Sequence, residues 1–185
     1  MKRYIRSAIV NVLDEPIGQK HEFLANPNLD ADILEMLSED PLAEIRTKVA
    51  GHPNTPNHIL HKLSMDNDII VRQYVASNPH TPIEDLIRLS MDSNVGVTLS
   101  IARNSNTPVD ILKCYADQGK YIHALLNNPN TPRSSIETLA NSNDAEIRWS
   151  VARDHNTPLD ILHKLECDED WEVSEAAHRS IRRLP

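Results

Sequence analysis

The chain has 185 residues, a formal charge of −8 and a pI near 5.5, with 27 acidic side chains against 19 lysines and arginines. That balance argues against a duplex-binding protein, which normally carries a basic stripe. Aromatic residues make up only 4% and no stretch alternates apolar with polar, so a sheet-based core is not expected.

Residues 1–25 begin Met-Lys-Arg, but the apolar run from Ala8 to Val10 is broken at Asn11 and Asp14. It is too short for a signal core or a membrane span, which favours a cytoplasmic location. These residues are expected to form an N-terminal cap or degenerate unit that ends at Phe23-Leu24. From Asn26 onward one pentapeptide recurs six times, at Asn26, His52, Asn78, Asn104, Asn128 and Asp154, with spacings of 26, 26, 26, 24 and 26 residues. A fixed period of this size marks a stacked array.

Residues 52–77 show one unit most clearly. Thr55 is expected to cap a first helix with Pro56 in its opening turn, and Ile59, Leu60 and Leu63 fall on one face. Asp66 is the expected cap of a second helix whose buried stripe is Val71, Tyr74 and Val75, and Asn78-Pro79 ends it. The other units repeat the pattern, with first-helix cores such as Ile33/Leu34/Leu37 and Ile161/Leu162/Leu165. Second-helix caps are expected at Asp40, Asp92, Ser142 and Asp168. The helices are short enough to be partly 3₁₀. The fourth unit is two residues shorter, reads Asp117-Gln118-Gly119-Lys120-Tyr121 at its turn, and follows Gly96 in the preceding helix. A change of curvature is therefore expected between residues 95 and 122. Residues 180–185 form a C-terminal cap or tail.

The unit Asn-Pro-Asn-Thr-Pro-x₂-(Ile/Leu)-Leu-x₂-Leu-x₂-Asp-x₄-Val-Arg-x₂-Val-Ala, best seen in 52–77 and 128–153, resembles the variant leucine-rich repeat family across residues 26–179. The resemblance implies an all-α, right-handed superhelix of about six repeats of 24–26 residues, loosely related to armadillo and HEAT arrays. One type of family member carries an iron–sulfur cluster on N-terminal cysteines. This chain has no cysteine before Cys114, so that cofactor is not carried over.

Most polar motifs have a structural reading. The corner pairs Asn54/Thr55, Asn106/Thr107, Asn130/Thr131 and Asn156/Thr157 suit caps and tight corners. Arg46, Arg72 and Arg148 share one repeat position and could form an anion row. Thr98, Ile122 and Ser174 interrupt them, which favours pairing with an aspartate or with corner carbonyls of an adjacent unit. His58 and His61 lie at i, i+3 with no further ligand in the local sequence, and His163 matches His61, so no metal is expected. His52, His80 and His155 read as variable corner residues. Cys114 and Cys167 are two repeats apart, out of disulfide reach if helices stack ~10 Å apart, which fits a reducing compartment. No phosphate loop or nucleophile elbow is present among only four glycines, so neither catalysis nor a cofactor is expected.

One row changes chemistry freely from unit to unit: Thr47, Gln73, Leu99, His123, Trp149 and Glu175, with Trp171 as a further aromatic; the competing reading is that Trp149 folds over a neighbouring unit and is half-buried. Variable rows on a regular scaffold are how such arrays read partners. The expected function is a non-enzymatic scaffold for a protein or peptide of basic or mixed character, with no membrane contact. Trp149→Ala is expected to weaken capture at a stability cost within about 1 kcal/mol. The alternatives are a nucleic-acid-binding HEAT-like array, which needs a basic face, and a metal-dependent module or enzyme.

Overall fold

Helices are the regular elements of residues 12–183, the part of the chain that the computed structural model describes. No strand occurs among these residues. The chain divides into two compact units, Met1–Asn104 and Ser105–Pro185. In the first, α1 (Ile17–Leu24) precedes three helix pairs: α2/α3 (Ala31–Leu37, Ala43–Ala50), α4/α5 (Asn57–Leu63, Ile69–Ser77) and α6/α7 (Ile83–Leu89, Val95–Arg103). The second holds α8/α9 (Val109–Asp117, Ile122–Asn127), α10/α11 (Arg133–Ala140, Ala145–Arg153) and α12/α13 (Leu159–Leu165, Trp171–Ile181). Within each unit second helices pack in succession, α1 on α3, α3 on α5 and α5 on α7, then α9 on α11 and α11 on α13. Residues 1–11 and 184–185, parts of the expected terminal caps, lie outside the described residues.

The described helices are α throughout. The expected 3₁₀ character is confined to their ends, in i→i+3 bonds such as Ile59 N–H to Pro56 O and Asp66 N–H to Leu63 O. Leu34, Leu37, Ile45, Leu60, Val71, Val75 and Leu86 in the first unit, and Leu112, Leu139 and Leu162 in the second, are buried in the core of each. Tyr74 departs from expectation and is 47% exposed. Its ring lies over Gly51, where an added Cβ would stand 2.8 Å from Tyr74 Cδ1, so the chain opens a glycine gap and the tyrosine fills it.

The threonines do not cap the helix that follows them. Thr55, Thr81 and Thr157 are buried, and each hydroxyl donates backward to the last turn of the preceding helix, at Val49 O (2.5 Å), Val75 O (2.5 Å) and Val151 O (2.6 Å). The first helices start at a proline instead. Pro56, Pro82, Pro108, Pro132 and Pro158 hold extended ψ, and Pro56 O takes the first helical bonds from Ile59 and Leu60. Proline presets φ at the helix entry, and these helices carry no side-chain cap. Thr131 breaks the series, because its buried hydroxyl has no partner. Thr81→Val is therefore expected to cost about 1–2 kcal/mol in urea unfolding, and Thr131→Val less than about 0.5. Equal losses would remove the hydrogen bond as the cause.

The first corner residue is also a link between repeats. Asn78 Nδ2 donates to Ala50 O (2.7 Å) and Asn104 Nδ2 to Ala76 O (2.8 Å), 28 residues back in each case. Ser180 Oγ reaches Ala152 O (2.7 Å) in the same register. His52 is not a variable surface residue. It is 4% exposed, accepts from Asn54 N–H at Nδ1 and thus donates from Nε2 to Asn26 O at 2.9 Å. The bonds to Ala50 O, Ala76 O and Ala152 O satisfy carbonyls of buried residues at helix C-termini.

The expected aspartate caps serve another purpose. The second helices are capped two residues later, by Asp68, Asn94, Asp144 and Asp170. Asp66, Asp92 and Asp168 instead receive an arginine from the preceding repeat. Arg46 to Asp66 (2.7 and 2.9 Å), Arg72 to Asp92 (2.7 and 3.3 Å) and Arg148 to Asp168 (2.8 and 2.8 Å) are all two-pronged. The remaining guanidinium nitrogen donates into the arginine's own turn, to Asp40 O, Asp66 O or Ser142 O. Lys20 to Asp40 (2.7 Å) is the same link in α1, with both side chains buried. The Ser142 hydroxyl, with no arginine twenty residues before it, accepts from Asp144 N–H (3.1 Å).

Arg148 holds the Asp168 carboxyl below its ordinary range. For Asp66 and Asp92 burial pushes upward, but the arginine and a backbone N–H outweigh it and leave both lowered. A carboxylate with a lowered folded value binds fewer protons folded than unfolded, so its stabilisation is present above the unfolded value near 4. It is lost as pH falls through the folded value. Unfolding free energy is thus expected to fall steeply below about pH 4, with a shallower fall in Arg148→Ala, by urea titration at a series of pH values.

The shortened fourth repeat is rebuilt around Gly119. Lys120 N–H bonds to Tyr115 O and Gly119 N–H to Ala116 O, both at 2.9 Å, with Gly119 at φ +62. This is the Schellman ending of a helix. Tyr121 follows at φ 55 and its ring meets Tyr115 edge-on at 5.0 Å.

Candidate binding site on the second-helix face

With corner and link residues accounted for, the variable row remains. In the first unit Thr47, Gln73 and Leu99 are half-buried on α3, α5 and α7. Gln73 packs onto the next helix, since a Cβ on Gly96 would stand 3.2 Å from Gln73 Oε1. In the second unit the row is His123, Trp149 and Glu175. His123 is exposed, yet its Nδ1 lies 2.6 Å from Asp154 Oδ2. Asp154 stands where four other corners carry asparagine and one carries His52, and a carboxylate cannot donate to a carbonyl, so it binds the histidine instead. Glu175 accepts from Arg179 Nε at 2.8 Å.

Trp149 is half-buried, and the Arg153 guanidinium lies 4.5 Å from its ring centroid. That geometry is a cation–π contact. Two cavities share these two residues. One, of about 360 Å³, is also lined by Ile122, His123, Asp154 and His155; the other, of about 280 Å³, by Ala176, Arg179, Ser180 and Arg183. The burial of Trp149 revises the expected stability cost of Trp149→Ala upward, to about 1–3 kcal/mol. Trp171 is 73% exposed and lines neither cavity.

Larger hollows of about 420 Å³ recur beside Arg46 and beside Arg148, lined by residues at equivalent repeat positions. Their recurrence with the linking arginines makes them a product of repeat packing. The Trp149 cavities differ, because no other repeat places a tryptophan there: Trp149/Arg153 stands where others hold Thr47/Gly51, Gln73/Ser77, Leu99/Arg103, His123/Asn127 and Glu175/Arg179.

His61 does meet acidic partners, contrary to expectation. Its Nδ1 is 3.0 Å from Asp85 Oδ1 and 3.9 Å from Glu84 Oε1, both on the next first helix. Local spacing could not show them, since they lie one repeat away. Asp85 Oδ1 also takes Ser64 Oγ (3.0 Å) and Arg88 Nη1 (2.8 Å), and the guanidinium opposes a divalent cation there. Met65 and Met91 in the turns, with Ile69 and Val95 opening the helices that follow, stand at equivalent positions in two repeats and are 43% to 76% exposed. Sequence reasoning passed over them because it followed helix faces rather than turns.

The architecture defines an all-α repeat array. A solved structure described as a leucine-rich repeat variant with a novel repetitive protein structural motif matches it with a TM-score of 0.57 and 23% identity, covering 98% of this chain and 78% of that one. The chain shares the fold of that protein. No family model and no curated protein matches the sequence. No helix among the described residues is long and apolar enough to cross a membrane.

Proposed function

We propose that the chain is a non-enzymatic, cytoplasmic scaffold that binds a peptide segment of another protein on the second-helix face, centred on Trp149. The observation that carries this reading is the half-buried indole between two cavities on a scaffold whose recurring polar residues are engaged in holding repeats together. Half-buried tryptophans in such settings concentrate binding energy. Panning a random peptide library against the wild type is expected to enrich sequences that fail to bind Trp149→Ala and Trp149→Phe. Enrichment untouched by both substitutions would refute the reading.

A further inference from the structure

The charge around Trp149 points the opposite way from the charge of the chain. The 280 Å³ cavity is lined by Trp149, Arg153, Ala176, Arg179, Ser180 and Arg183, with three arginines and no carboxylate in its wall. Among the described residues no acidic side chain pairs with Arg153 or Arg183. Arg179 uses only Nε, on Glu175, and both of its Nη groups keep their donors. Elsewhere among the described residues Arg46, Arg72, Arg88, Arg133 and Arg148 are engaged by carboxylates, while Arg103 and Arg182 stand alone rather than grouped around this cavity. A protein of charge −8 thus gathers three arginines in one cavity wall, Arg153 over the indole and Arg153 and Arg183 without a carboxylate partner, an arrangement that a bound anion would complete.

Resting on the peptide-binding reading above, we infer that the segment bound at Trp149 is acidic, with an apolar residue against the indole and a flanking Asp or Glu held by Arg153, Arg179 and Arg183. Stacking on Trp149 restrains the Arg153 fork, and a restrained guanidinium suits two-pronged recognition of a carboxylate. The cavity falls at the small end of ligand sites, which suits one or two side chains. The neighbouring 360 Å³ cavity continues past Trp149 and receives the next residue of the segment. A nucleic acid fits less well. Its evenly spaced phosphates cannot avoid Glu175 and Glu172 on the same helix, whereas a peptide places its carboxylates only where arginines wait.

Trp149 becomes the sole tryptophan in a Trp171→Phe background, and its fluorescence reports the site. Three probes are titrated: a short peptide alternating Glu with Leu, its Lys/Leu counterpart, and single-stranded oligo(dT). The acidic peptide is expected to saturate, to weaken about tenfold or more in Arg153→Glu and in Arg183→Glu, and to weaken with salt. Both arginines are exposed, and unchanged thermal midpoints show that the variants fold. No saturation by the acidic peptide, tighter binding of either other probe, or binding indifferent to both substitutions overturns the inference. Library peptides that depend on Trp149 but carry no acidic bias would overturn it while leaving the peptide-binding reading intact. A library with no such peptides removes that reading itself.

Discussion

Replacing Arg148 with alanine is expected to lower the unfolding free energy by about 3–5 kcal/mol. Arg148 and Asp168 side chains are 9% and 8% exposed, so the aspartate left behind is a largely buried charge that keeps only its bond from Asp170 N–H. The substitution also releases Ser142 O, which takes its bond from Arg148 Nη1 at 2.8 Å. Lysine should restore little, because one ammonium cannot span two carboxylate oxygens and a carbonyl. Combining Arg148→Ala with Asp168→Asn is expected to cost at least about 1 kcal/mol less than the sum of the single losses. Chemical denaturation followed by circular dichroism reads all four corners of this cycle. A single loss under about 1 kcal/mol would reduce the pair to an ordinary surface bridge.

Gly119→Ala is expected to cost about 2–5 kcal/mol. The residue sits at φ +62, where a side chain costs roughly 1–2 kcal/mol. An added Cβ would also stand 2.3 Å from Ile147 Cδ1, forcing that side chain out of its packed position at roughly 1–3 kcal/mol. Gly18, with nothing within 4 Å of its Cβ position and no positive φ, is the internal control. Alanine there should be neutral or slightly stabilising, because helical glycine is the less favourable residue. Similar losses at the two sites in thermal unfolding would show that Gly119 is not conformationally required.

The repeat, its helix pairs and its apolar seam were legible in the sequence, because Pro56 and Leu60 state a local rule several times over. The linking role of Arg46, Arg72 and Arg148 was legible too, though its partners were mistaken for caps. Asp66 and Asp68 are both good capping residues two positions apart, and local chemistry alone does not choose between them. A signal that decides it does exist. Twenty residues after Lys20, Arg46, Arg72 and Arg148 stands an aspartate each time, while Gln118 and Ser142 follow Thr98 and Ile122. Cation and carboxylate come and go together. The bonds of Asn78 and Asn104, 28 residues back, are longer than one period and needed the stacked helices to be seen. His61 and Asp85 met for the same reason. At the candidate site, Trp149 was legible as an outlier in its row. Its arginine surroundings were not, because Arg179 comes from the neighbouring helix and Arg183 from just past its end, and the net charge pointed the other way.

The account rests on a division of labour in which recurring residues hold the stack and Trp149 reads the partner. Its most direct test is the affinity of one library-selected peptide for Trp149→Ala and Trp171→Ala, measured by calorimetry on folded samples. The account predicts a loss of about 2 kcal/mol or more at Trp149 and almost none at the more exposed Trp171. Equal losses, or the larger loss at Trp171, would contradict it.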